Sequence, residues 1–98
     1  MDFKIILAPR AVQDLQEIVR YISVDNPTRA ESFGSELIAK TRTLATFPEM
    51  GRVVPEFNEP HIREIIHKSY RIVYRVTSQE HLIEIARFWH GARGTPGF

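Results

Sequence analysis

The stretch "RFWHGARGTPGF" (87–98) gathers the side chains best equipped for chemistry in this sequence. His90 can move a proton, Arg87 and Arg93 can hold an anion, and Trp89 can anchor a partner. These residues fit two different sites: the rim of an active site, or the last strand of a binding module running into a tail. Further upstream, Arg63, Arg71 and Arg75 recur among isoleucine, valine and tyrosine. His61, His67 and His81 show no HxxxH or similar spacing, and there is no cysteine, so neither a metal site nor a disulfide is expected. No cofactor motif is present.

Those side chains need elements to position them. "FKIILA" (3–8) is an apolar, isoleucine-rich run of the kind found in a sheet interior. Pro9 suits the first position of a helix, and Val12, Leu15, Val19 and Ile22 follow at helical spacing. Asn26 and Pro27 read as cap and first residue of a second helix, with a stripe of Ala30, Phe33, Leu37, Thr41 and Leu44. The short connection predicts an antiparallel helix hairpin.

After the turn "PEMGR", where Gly51 supplies a permissive backbone, the period changes to two. "HIREIIHK" (61–68), "YRIVYRVT" (70–77) and "HLIEIARFW" (81–89) predict an antiparallel meander. The order is β-α-α-β-β-β, an α+β domain over 1–98 with two helices on one face of a mostly antiparallel sheet. Alternation sends Tyr70, Ile72, Tyr74 and Val76 toward the helices, the tyrosines with their hydroxyls at the core margin. Arg71, Val73 and Arg75 point the other way. No element remains to cover that second face, so Arg63, Arg71, Arg75, Arg87 and Trp89 are expected to form an open docking surface.

Bulk properties narrow the classes. The 98 residues carry 13 Lys/Arg against 12 Asp/Glu, a net charge of +1, whereas nucleic-acid binders usually carry a strong basic excess. Residues 51–98 are slightly basic, with seven Lys/Arg against five Asp/Glu. No run approaches the roughly 20 apolar residues of a membrane span, and the start lacks the pattern of a secretory signal. The lack of cysteine fits the cytoplasm.

Five segments in order, "DLQEIVRYI", "NPTRAESF", "FPEMGR", "YRIVYRV" and "HGAR", resemble the RelE/ParE superfamily of toxins from bacterial type II toxin–antitoxin (plasmid stabilisation) modules. The resemblance runs over essentially the whole chain and implies the RelE-like fold. It also implies a partner, a cognate small acidic antitoxin, ParD-like or related, whose C-terminal segment wraps the toxin. RelE-like members are ribosome-dependent mRNA endonucleases, and ParE-like members are associated with inhibition of DNA gyrase.

For the nuclease branch the resemblance implies metal-independent cleavage: a base for the 2′-hydroxyl, cations for the phosphorane, an acid for the leaving oxygen. Arg71 matches the arginine of the central "YR" motif, Arg93 that of the strand-end motif, and His90 lies near a histidine kept by some relatives. This chain departs from that pattern at two places. It has "IRE" at 62–64 instead of a lysine pair, which puts Glu64 where it would repel phosphate, and its tail "GTPGF" holds no tyrosine. The reading favoured is therefore ParE-like: a non-enzymatic toxin that binds DNA gyrase, with Arg63, Arg71, Arg75, Arg87, Trp89 and Arg93 meeting antitoxin or target. The alternatives are a ribosome-dependent nuclease using Arg71, His90 and Arg93, and an inactive relative that only binds its antitoxin. The plain structural readings stand beside these: His90 as a strand-end residue bonded locally, Arg71 and Arg75 as solvated surface arginines, and Trp89 as core.

Overall fold

The computed structural model describes residues 2–97. Strand β1 (Lys4–Leu7) leads into helix α1 (Pro9–Ser23), and α2 (Pro27–Arg42) returns antiparallel to it. Pro9 and Pro27 open the two helices, where a missing N–H costs nothing. The Asn26 side chain accepts the Arg29 N–H at 3.0 Å, which fixes the start of α2. Four more strands follow: β2 (Arg52–Val53), β3 (Ile62–His67), β4 (Tyr70–Thr77) and β5 (Leu82–His90). All five form one sheet in the order β1-β5-β4-β3-β2, antiparallel except for the β1–β5 pair.

The predicted element order holds, with the two-residue β2 as an addition. β1 departs from expectation: it is an edge strand rather than an interior one. Its apolar side chains still pack, because α1 folds back over the same end of the sheet.

The α2 stripe is buried as its spacing predicts, from Ala30 through Phe33, Leu37 and Thr41 to Leu44 in the short 3-10 turn that follows. On α1 the seam is rotated. Ala11, Asp14 and Ile18 are buried, Leu15 and Ile22 flank them, and Val12 is 40% exposed. Val19 faces α2 instead, where it meets Gly34 closely. The helix-facing side of the sheet supplies Ile65, Ile72, Tyr74, Val76, Ile83, Ile85 and Phe88.

The far side of the sheet is not bare. The segment between β2 and β3 folds across it, and Val54, Ile62 and Val73 form a second small core with Phe57 against them. The expectation of an uncovered face fails here because a structureless segment, invisible to helix or strand periodicity, does the covering.

Candidate functional site

The register decides which arginines share a face. Val73 pairs with Glu64 and Arg87, and Arg71 pairs with Ile66 and Trp89. Arg71, Arg75, Arg87 and Trp89 therefore leave the sheet on the side away from the helices, as expected. Arg63 does not. It pairs with Tyr74, one residue out of step with Glu64, so it lies on the opposite side from Arg71. There its guanidinium donates to the carbonyls of Gly51 (2.9 Å) and Pro60 (3.1 Å) and holds the turn before β2. The five-residue surface drawn from sequence loses this member.

A β-bulge puts Arg87 and Trp89 on the far face. Ile85 pairs with Tyr74 and Arg87 with Val73, so Ala86 is an extra residue. Strict alternation from Ile83 and Ile85 would have aimed Arg87 and Trp89 into the core; the extra residue reverses the parity and sends Phe88 there instead.

Each far-face arginine has a defined environment. Arg71 is 11% exposed in its side chain; its Nε donates to Glu64 and its two terminal nitrogens grip Glu56 at 2.8 and 2.7 Å. Glu64 is wholly buried and also accepts from Arg52 Nε at 2.7 Å. The two carboxylates, Glu56 first and then Glu64, push the Arg71 pKa up, and Arg71 in turn pulls Glu56 down to about 2. Glu64 thus serves as an internal counter-ion, which explains how a carboxylate is tolerated on this face. The surface-arginine reading fails for Arg71. Arg75 is exposed, opposite Glu84 in the ladder.

Arg87 is almost fully buried. Its guanidinium pairs with Asp14 at 2.7 and 3.0 Å, and the same carboxylate accepts the backbone N–H of Phe88 at 3.1 Å. β1 has ended by then, so the edge of β5 is open and a helix side chain completes it. Sequence reasoning missed Asp14, although it lies three residues after Ala11 and four before Ile18, on the buried stripe itself.

The tail closes over Trp89. The indole Nε1–H donates to the Gly94 carbonyl at 3.0 Å, and Arg87 also donates to Gly97 at 2.6 Å. Both Arg87 and Arg93 place their guanidiniums over the Trp89 ring, at 4.7 and 4.6 Å from its centre. Trp89 is consequently 9% exposed, and Pro96 is buried with it.

His90 lies elsewhere. Its ring meets Tyr70 edge-on at 5.1 Å, and its Nδ1 accepts the Ala92 N–H at 3.1 Å. His90 and Arg93 do share a cleft of about 340 Å³ with Tyr21, Tyr70, Glu17 and Asp14. Arg71 is on the other side of the sheet, so the three groups proposed for a nuclease are not brought together. Burial raises the Tyr70 pKa in this cleft. Tyr74 differs from its sequence reading: its hydroxyl is inside, not at the margin, accepting from Gly51 N–H (3.0 Å) and donating to the Pro48 carbonyl (2.9 Å). Among the described residues, no cluster of three or more His, Cys, Asp or Glu is placed to hold a metal, and no helix is long and apolar enough to cross a membrane.

Residues 5–94 match the model of the family described as the ParE toxin of the type II toxin–antitoxin system parDE. The chain belongs to the ParE toxin family. The site residues from Asp14 to Gly94 fall within the ParE match, and Pro96 and Gly97 of the tail lie beyond it. The fold agrees with two solved toxin–antitoxin structures. A chain of the chromosomal ParDE system from P. aeruginosa superposes with a TM-score of 0.73 at 19% identity, over 90% of this chain and 95% of that one. A chain of the RelBE2 toxin–antitoxin complex from Mycobacterium tuberculosis gives 0.68 at 17% identity, over 92% of this chain and 99% of that one. A search of curated proteins found no significant sequence match. This ParE-family member is thus a toxin-type chain on the RelE/ParE fold, and the two structures share its helix hairpin and sheet without prescribing a target.

Proposed function

We propose that this toxin acts by binding rather than by catalysis, with DNA gyrase as its target and a cognate small acidic antitoxin as its regular partner. The observation that carries this reading is the state of Arg71. A nuclease built on this sheet needs that guanidinium free to face a phosphorane, and here two carboxylates hold it. Glu64 is buried and cannot turn away, so any phosphate approaching Arg71 meets a fixed negative charge.

The acid–base side supports the same reading. His90 uses Nδ1 to accept a backbone N–H and lies across the sheet from Arg71. One observation favours the RelE-like alternative: His90, Arg93 and Tyr70 line one cleft, which gives a histidine, a cation and a phenol within one site. The exposed arginines Arg75 and Arg93 are the groups we assign to target or antitoxin contact, with Trp89 beneath Arg93 as a rigid platform.

The test is primer extension on ribosome-bound mRNA after adding purified toxin. Intact message supports the binding reading. Cleavage at defined codon positions that disappears in His90→Ala, which should cost a nuclease on the order of 10²–10⁴-fold in rate, would move the function to the RelE-like alternative.

A further inference from the structure

The segment from Val54 to His61 is a strap across the far face of the sheet. Its base is closed by the Val54 N–H donating to the Ile62 carbonyl at 3.1 Å. Within it, the N–H groups of Phe57 and Asn58 both donate to the Val54 carbonyl, at 3.2 and 3.0 Å, and Asn58 takes a left-handed φ of 52°. Phe57 packs on Val54, Ile62 and Val73, and Glu56 grips Arg71.

We infer that Glu56 is a built-in competitor: its carboxylate occupies the fork of Arg71 that an acidic side chain of a protein partner takes when the strap lifts. The two carboxylates on Arg71 differ in a way that assigns these roles. Glu64 is wholly buried on a central ladder and belongs to the framework. Glu56 is 29% exposed and sits on a segment without helix or strand, so it can leave. It takes the two parallel N–H bonds of the guanidinium fork, the geometry in which arginine recognises an incoming carboxylate.

Charge selects the class of ligand. Arg52 and Arg71 face Glu64 and Glu56, two cations against two carboxylates. Without Glu56 the group carries a single net positive charge, with Glu64 still beside the fork. That suits one side-chain carboxylate and is a poor site for a nucleic-acid backbone, whose affinity needs several neutralising cations. The surroundings agree. Val73 lies beside Glu64 in the ladder and packs with Ile62 beneath Phe57, so a lifted strap uncovers an apolar floor suited to a peptide segment. The inference goes beyond the choice of cellular target and holds whether that target is gyrase or the ribosome.

The experiment titrates a hexaglutamate peptide into purified toxin by two-dimensional NMR, with the oligonucleotide dT10 as the second probe. Glu56→Gln should bind hexaglutamate at least tenfold more tightly than the parent, with shifts centred on Arg71, while dT10 gains far less. Glu56→Gln combined with Arg71→Lys should lose the gain, since the ammonium keeps the charge but not the fork. Glu56→Gln combined with Arg75→Gln should keep it, which separates the fork from net charge. Equal hexaglutamate affinity in Glu56→Gln and parent would overturn the inference, as would a gain that survives Arg71→Lys. An equal or larger gain for dT10 would overturn the assignment to an acidic peptide.

Discussion

Asp14 on α1 binds Arg87 on β5 and the next backbone N–H in the same carboxylate, so one helix residue both neutralises a buried cation and finishes a sheet edge. The sites are 73 residues apart in sequence. Removing the carboxylate strands Arg87 away from water and frees the Phe88 N–H. Asp14→Ala should therefore cost about 3–5 kcal/mol of folding free energy, as for other buried pairs broken on one side. Urea unfolding measures it, and a loss below about 1 kcal/mol would show that Arg87 finds another acceptor.

Phe33 is 5% exposed at the junction of α2 with the sheet, where its ring meets Tyr70 at 5.5 Å and His67 at 5.8 Å. Truncation to alanine should cost about 3–5 kcal/mol, a large share of a small domain's stability. The same denaturant series checks it. A near-zero change would mean that the helix hairpin does not rely on this ring.

Gly51 tests how tightly the turn before β2 is built. A Cβ there would lie 2.5 Å from the Glu64 carbonyl oxygen and 2.6 Å from the Tyr74 hydroxyl. Gly51→Ala must push apart the Gly51–Tyr74 bond and the β2–β3 pair, at a cost of about 1–3 kcal/mol. Accelerated amide exchange at Arg52 and Val53, with β4 and β5 unchanged, is the expected local signature.

Acid should weaken the link between α2 and the β3–β4 hairpin. The Glu36 carboxyl is pulled from 4.5 to about 2, first by its hydrogen bond with His67 and then by Arg29. Because the folded value is the lower one, its contribution is complete above about pH 4.5 and is lost as pH falls toward 2. The group is open to solvent, so the effect is small and salt-sensitive. Glu36→Gln should flatten the stability profile in that window; a profile parallel to the parent's would remove Glu36 from the account.

The fold was legible wherever side chains repeat over several turns or pleats. The α2 stripe and the three long strands have that repetition, and their limits agree closely with the sequence reading. The α1 seam was shifted because one of its buried members is a carboxylate, which a hydropathy pattern assigns to solvent. Asp14 becomes buriable only once Arg87 and the Phe88 N–H are opposite it, and those arrive from the far end of the chain. β2 has two residues, too few to show any period.

The candidate site was legible in its residue types and less so in its geometry. Alternation places Arg71 correctly relative to Tyr70, but it says nothing about the neighbouring strand. The parity of Arg63 is set by the two-residue turn Lys68-Ser69, with Lys68 at a φ of 54°, which pairs His67 with Tyr70. Arg87 and Trp89 face the expected way only because of the Ala86 bulge, which no periodicity reveals. The strap was missed for a related reason: it covers the sheet through Phe57 and one ion pair, without a regular element.

A gyrase supercoiling assay separates action by binding from action by catalysis. Purified toxin incubated with gyrase, relaxed plasmid and ATP should reduce supercoiling or trap cleaved DNA in a dose-dependent way. Its cognate antitoxin should reverse the effect, and His90→Ala should retain most of the inhibition. Full supercoiling at toxin concentrations that arrest growth would contradict the account.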